Sequence, residues 1–382
     1  METIKGTAYN WPSPIVGLLQ KKKSLLRQSD ESNIFVLTTG SAALSKNKTY
    51  ISTGPMSEKI KRKNLPYIED IPAMQLSLLK EGDIVLGSPE GQLNIMYDSA
   101  SRHNCIFATN RCNLKCVMCP QPPSSESDPL IDTQIAAIKL MAQHKPEHLA
   151  ITGGEPTLLG PGLLEIIAAC KKYIPTTGLT VLTNGVNFKK FSFVRELVEL
   201  QHPNIQFAIP LYSDDYSIHD KIVGIEGSFF KTIKGLHNLA LFGQRIEVRT
   251  VVLPQNASRL VNLAEFIYKN LTFVSHVAFM GIEIIGMARK NANILWQDPV
   301  TYANDLEKAF RYLQRVYMVA SIYNFQLCVL PEKLWSFCRK SISDWKNGYI
   351  DECAKCAKSK DCGGFFTTSG EYRSKEIKSI KE

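Results

Sequence analysis

No stretch of this 382-residue chain comes near the roughly 20 consecutive apolar residues that a bilayer-spanning helix requires. Its opening, Met1-Glu2-Thr3-Ile4-Lys5, also lacks the basic segment and apolar run of an export signal. These absences predict a cytoplasmic protein without a membrane partner. In that reducing compartment the ten cysteines would not form a disulfide framework, which leaves metal binding or core packing to explain them. A strong charge bias is missing too. The net +9 is modest for the length, and much of it sits in Lys21-Lys22-Lys23, between Lys59 and Lys63 and near the C-terminus, where solvated faces account for it. Nucleic acid is therefore not the expected partner.

What is present is an ordinary globular composition, 44% apolar and 21% charged, in a chain long enough for one large core and a smaller domain at either end. Seven of the ten cysteines fall into two groups, Cys112 to Cys119 and Cys338 to Cys362, a clustering that packing alone does not require. Cys105, Cys170 and Cys328 stand alone among apolar neighbours and are expected in the core.

The first group lies in Asn110-Arg111-Cys112-Asn113-Leu114-Lys115-Cys116-Val117-Met118-Cys119-Pro120. Soft thiolates select iron-sulfur clusters, zinc or copper. A four-iron, four-sulfur cluster gives each thiolate one iron, so Cys112, Cys116 and Cys119 would leave the fourth iron open to an exchangeable ligand. The alternative is a zinc knuckle completed by His103, Cys105 or a remote residue.

Residues 1–100 carry short alternating runs, Ile34 to Thr38 and Thr49 to Ser52, and a hairpin of 82–87 with 91–97 around Ser88-Pro89-Glu90. They contain no cluster of Cys, His or carboxylates, which predicts a small β-rich accessory domain that positions a partner and catalyses nothing. From Asn104 strands and helices alternate. The strands are Cys105 to Thr109, His148 to Thr152, Leu179 to Thr183, Ile205 to Leu211, Ile246 to Leu253 and Ser275 to Glu283. Helices fill the gaps, as where Ile135, Ile138 and Ala142 recur at helical spacing before Pro146. Such alternation implies a parallel, barrel-like sheet with right-handed crossovers, an α/β core over residues 101–290. In barrels of this type the loops after the strands build the site, and each motif here follows a strand: the cysteine loop the first, Gly153-Gly154-Glu155-Pro156 the second, Thr183-Asn184-Gly185 the third. Two glycines at a strand end admit close backbone approach, and Glu155 can accept hydrogen bonds from an ammonium group.

The C-x3-C-x2-C loop with Gly153-Gly154-Glu155-Pro156 some thirty residues on resembles the radical S-adenosylmethionine (SAM) superfamily. Cys116 to Pro123, Met280-Gly281-Ile282-Glu283 with Gly286 to Asn291, and Ser341 to Asn347 resemble the HxsC maturases of the His-Xaa-Ser peptide system, and together the likeness covers roughly residues 100 to 370. The resemblance implies a partial (β/α)6 TIM-type barrel, a 4Fe-4S cluster on the triad, and SAM on the open iron, with its amino group at Gly153, Gly154, Glu155 and Pro156. It also brings Thr183 and Asn184 near the cofactor, against a plain turn, and Arg249 to the cofactor carboxylate, against a salt bridge within the barrel. Met118 stands where many members have an aromatic beside the adenine. Ile209-Pro210-Leu211-Tyr212-Ser213-Asp214 departs from the Ser-x-Asp pattern of peptide-modifying relatives, which puts the ribose contact in doubt.

The second group runs Cys338, nine residues, Gly348, four residues, Cys353, two residues, Cys356, five residues, Cys362. Four thiolates can close a site. In relatives with a SPASM or twitch extension similar spacing holds an auxiliary cluster, and residues 291–382 are expected to form such an extension, with a structural zinc as the alternative. The implied activity is reductive cleavage of SAM to a 5′-deoxyadenosyl radical that removes a hydrogen from a ribosomally made peptide of His-Xaa-Ser type. It would act with a reducing electron donor and beside a second radical SAM maturase. Glu283 is the candidate for touching that peptide, with Gly286 to Asn291 beside it. The rival readings are a radical SAM enzyme acting on RNA or a small metabolite, and a non-catalytic zinc-binding interaction protein.

Overall fold

A computed structural model describes residues 4–21, 34–37, 48–340 and 346–381. Thr38, Lys22, Lys23 and residues 341–345 of the Ser341 to Asn347 motif lie outside the described residues. Among the described residues no helix is long and apolar enough to cross a membrane.

The N-terminal sheet has eight strands: β1 (Ile4–Lys5), β2 (Thr7–Tyr9), β3 (Ile15–Lys21), β4 (Ile34–Leu37), β5 (Lys48–Ile51), β6 (Tyr67–Glu69), β7 (Ile84–Gly87) and β8 (Gln92–Tyr97), in the order β1-β8-β7-β3-β4-β5-β6-β2. The expected hairpin is β7 with β8, antiparallel. β1 and β2 end the order on opposite sides, yet only Gly6 separates them. A peptide unit spans under 4 Å, so the two edges must meet and the sheet curls closed. Its inner face packs Leu19, Phe35, Ile51, Ile68 and Val85. Val16, Leu18, Ile84 and Tyr97 face the other way and join the main core against the helix Ile131–Met141.

The main sheet is parallel throughout: β9 (Asn104–Phe107), β10 (His148–Thr152), β11 (Gly178–Leu182), β12 (Ile205–Pro210), β13 (Arg245–Val251), β14 (His276–Met280), β15 (Ala320–Tyr323) and β16 (Cys338–Arg339), paired in sequence order. The first six are the strands expected from sequence, and the helices Ile131–Met141, Pro161–Tyr173, Phe191–Glu199, Ser228–Leu241 and Leu260–Asn270 return the chain between strands. The α/β partial barrel is thus present, with two further parallel strands beyond the six. Alternation fixes which residues face which side. Leu149 and Ile151 of β10, Val181 of β11 and Phe207 of β12 bury against the helices. The opposite face lines the lumen, where Glu247, His276 and Ser321 of three neighbouring strands are linked: His276 Nδ1 lies 2.9 Å from Glu247 Oε2, and Nε2 lies 3.0 Å from Ser321 Oγ.

Beyond β16 regular structure is sparse. A two-stranded ribbon of β17 (Asn347–Gly348) and β18 (Phe365–Phe366) brackets Cys353, Cys356 and Cys362.

Candidate functional site

The cysteine loop leaves β9 at the C-terminal edge of the main sheet and is fastened there by the polypeptide at many points. Asp128 accepts from Thr109 Oγ1 at 2.6 Å, from Asn110 N at 2.8 Å and from Arg111 Nε at 2.7 Å, closing the base of the loop. Lys115 N donates to Val223 O at 2.9 Å and Val117 N to Ile222 O at 3.0 Å, which seats the loop on the helix Tyr216–Val223. Met287 N donates to Cys119 O and Asn291 Nδ2 to Val117 O, each at 2.8 Å. The segment Gly286 to Asn291, expected at the substrate, therefore packs on the back of the cysteine loop. Leu114, Met118, Val186, Tyr212, Ile222 and Val223 form the apolar shell. Met118 is buried in that shell.

The strand-end motif explains its glycines by contact. A Cβ on Gly154 would stand 2.1 Å from Arg111 O, so only glycine lets the end of β10 lie this close to the cysteine loop. Gly154 N donates to Thr109 O and Glu155 N to Arg111 O, both at 2.7 Å. The Glu155 side chain is fully buried. Its carboxylate accepts from Thr157 N at 3.0 Å, Thr157 Oγ1 at 2.5 Å, Thr183 Oγ1 at 2.6 Å and Asn184 N at 2.6 Å. Burial pushes this carboxyl up, and the donors of Thr157, Thr183 and Asn184 pull against it. A carboxylate offers about four acceptor positions, and here all four donors are internal. The carboxylate acts as a brace between the ends of β10 and β11, with Pro156 buried beside it, where a direct ammonium contact was expected. Thr183 and Asn184 belong to the same brace, and Asn184 Nδ2 reaches Asn113 Oδ1 in the cysteine loop at 2.6 Å.

Two other expected residues, Arg249 and Glu283, have partners of their own, as does Asp214 of the segment that departs from the family pattern. Arg249 is ion-paired through Nε to Glu247 in the lumen, the salt bridge weighed as its alternative. Asp214 binds Arg259, with Oδ1 to Nε at 2.9 Å and Oδ2 to Nη2 at 2.5 Å. Glu283 meets Lys346 Nζ at 2.6 Å, tying the end of β14 to the C-terminal extension.

The donor set fits an iron-sulfur cluster. Burial, then the neighbouring Cys119 and Cys112, push the Cys116 thiol up to about 12. Burial raises Cys112 and Cys119 as well. Thiols so placed become thiolates through cationic metal bound directly to sulfur. Among the described residues no three Cys, His, Asp or Glu side chains converge on one point as a single ion demands. A cubane asks something different, a separate iron for each thiolate, and the three cysteines, each partly exposed along one loop, offer that. Tyr212, whose hydroxyl is raised well above its usual range by burial and by Cys116 and Cys119, lies against the triad. Nothing in the sequence singled it out, since an aromatic residue after an apolar strand resembles any core residue.

In the C-terminal extension a cavity is lined by Cys328, Cys353, Cys356 and Cys362. Cys338 is absent from its wall: it lies in β16, 8% exposed, within the main core. Of the cysteines expected in the core, Cys170 is buried, Cys105 is exposed on β9, and Cys328 is half-buried at the cavity.

This geometry defines a parallel α/β barrel with a three-cysteine loop at its mouth, and comparison with known proteins gives the class a name. Residues 106–267 match the sequence profile of the Radical SAM superfamily. It is 32% identical over 168 residues to the antilisterial bacteriocin subtilosin biosynthesis protein AlbA of Bacillus subtilis (strain 168), covering 43% of this chain and 36% of AlbA. It is 28% identical over 154 residues to the GTP 3′,8-cyclase of Petrotoga mobilis, covering 39% of this chain and 46% of the cyclase. The chain thus aligns with less than half the length of each of these two relatives. Among solved structures, Streptococcus suis SuiB superimposes with a TM-score of 0.50 at 18% identity over 61% of this chain and 52% of SuiB, a likeness of fold.

Proposed function

We propose that the chain is a radical SAM enzyme that modifies a ribosomally made peptide. The observation carrying this reading is the three-cysteine loop fastened to the Gly153-Gly154-Glu155-Pro156 strand end, within the segment that matches the superfamily. Cys112, Cys116 and Cys119 would hold the cluster, and the ends of β10 and β11 would take the methionine end of SAM. When bound, these groups supply reductive cleavage of a carbon-sulfur bond and a carbon radical able to remove a hydrogen from a substrate.

The chain's own work is positional. Gly154 lets the strand end reach the loop, the Glu155 brace fixes two strand ends together, and the shell around Met118 and Tyr212 gives the loop an apolar wall on one side. Peptide as substrate draws support from the likeness to AlbA, a protein of bacteriocin biosynthesis. A His-Xaa-Ser precursor, a second maturase and a dedicated electron donor follow from the HxsC-like motifs and belong to the same proposal, as does an iron-sulfur centre in the extension. A nucleotide or other small-molecule substrate is the second reading, favoured by the likeness to the GTP 3′,8-cyclase.

The test is anaerobic reconstitution with iron and sulfide, followed by dithionite and SAM. The expected result is a brown protein that forms 5′-deoxyadenosine and changes the mass of a co-expressed precursor peptide. Zinc uptake without iron would overturn the enzyme reading, and GTP turnover with no change in any peptide would favour the second.

A further inference from the structure

Spacing joins Cys338 to Cys353, Cys356 and Cys362, but the fold joins Cys328 to them. Cys328 lies in the turn Leu327–Val329 that follows β15, and its neighbours Leu327 and Val329 are buried in the main core. The turn carries Cys328 out of that core to the wall of a cavity whose other sulfurs are Cys353, Cys356 and Cys362, with Phe365 and Ile380 as apolar lining.

Backbone donors converge on these sulfurs from separate parts of the chain. Leu327 N and Gly364 N each stand 3.4 Å from Cys362 Sγ, and Ile380 N stands 3.4 Å from Cys356 Sγ. The backbone amide of Lys378 serves Cys328. The tail is brought there by Ala357 N donating to Ile380 O at 2.9 Å. Amide hydrogen bonds to sulfur favour the thiolate and are among the levers that set cluster potential. Cys338 is not part of the cavity wall: it is buried in β16, near enough to Cys362 to feel its charge, with Sγ donating to Leu334 O at 3.4 Å.

We propose that the metal centre of the extension is held by Cys328, Cys353, Cys356 and Cys362, and that Cys338 is a buried free thiol. This inference rests on the reading of the extension as an iron-sulfur site. Four thiolates close a site, so the centre would offer no open position to substrate.

The experiment uses the full chain with Cys112→Ala, Cys116→Ala and Cys119→Ala together, so that the extension alone can retain iron. After anaerobic reconstitution with ferrous iron and sulfide, iron, sulfide and zinc are quantified and the reduced protein is examined by electron paramagnetic resonance. Adding Cys328→Ala is expected to lower iron and sulfide and to change the signal, because one iron loses its thiolate, whereas adding Cys338→Val leaves all three as they were. Iron or signal altered by Cys338→Val and unaltered by Cys328→Ala would overturn the assignment, as would iron content and signal unaltered in both. A triple variant that takes up no iron and sulfide would refute the underlying reading, and the assignment with it. Circular dichroism monitors folding of each variant, and if Cys328→Ala fails to fold, Cys328→Ser provides the second variant, expected to change the signal through an oxygen ligand on one iron.

Discussion

The cysteines of the first loop stand at the end of β9 with regular structure around them, whereas three of the extension, Cys353, Cys356 and Cys362, stand between β17 and β18, strands of two residues each. In the first site the neighbouring backbone is already fixed by the barrel, and the loop is fastened to it by hydrogen bonds to Asp128, Val223, Ile222 and Met287. In the second the sulfurs themselves are the points toward which the backbone turns, at Leu327, Gly364 and Ile380. A sheet can position ligands without help from metal. A ribbon of this size cannot, and four thiolates on one centre would supply the missing order.

Breaking the first site should have the largest effect. Cys116→Ala is expected to abolish 5′-deoxyadenosine formation under reducing conditions, measured by chromatography, while the iron of the extension remains. The wall that supports the first site comes next. Burial raises the Glu247 carboxyl, but His276 and then Arg249 overcome it and hold it at about 2, below its ordinary 4.5. This depressed value stabilises the fold above pH 4.5, by about 3 kcal/mol, and the contribution fades as pH falls toward 2. Glu247→Gln should therefore be less stable at neutral pH, with a deficit that shrinks in acid, read by denaturant unfolding across pH.

A matched pair of glycine variants sharpens the comparison directly. Gly154→Ala drives a methyl group to 2.1 Å from Arg111 O, and overpacking of this kind costs about 1–3 kcal/mol. It should lower iron on the first loop and spare the extension. Gly364→Ala, at φ +63° with Gly348 O 2.4 Å from the new methyl, costs a similar 1–3 kcal/mol and should do the reverse, as spectra of the two centres would separate. The smallest effect is expected at Glu283→Gln, which breaks the partly exposed pair with Lys346 and shifts unfolding by about 1 kcal/mol or less.

The six barrel strands were legible because each is an apolar run bounded by turn residues, and the position of every motif after a strand followed from them. β15 and β16 were not, since four and two residues carry too little pattern to separate from loop. The helix Tyr216–Val223 was missed because only Ile218, Ile222 and Val223 mark its inner face. Within the site the placement of Cys112, Cys116 and Cys119 together on the loop after β9 could be read from the sequence. The internal donors to Glu155 could not, because Thr157, Thr183 and Asn184 converge only after β10 and β11 pair in register. Cys328 was hidden for a related reason: flanked by Leu327 and Val329, it has the sequence surroundings of a core residue, and only the return of the tail reveals its neighbours.

The fastening of the cysteine loop bears on how it would behave without its sulfurs. Arg111, Asn113, Lys115, Val117 and Cys119 are each held by a bond the polypeptide makes for itself. None of those bonds uses a sulfur atom, so the path of the loop is set by the polypeptide and is expected to survive replacement of all three cysteines.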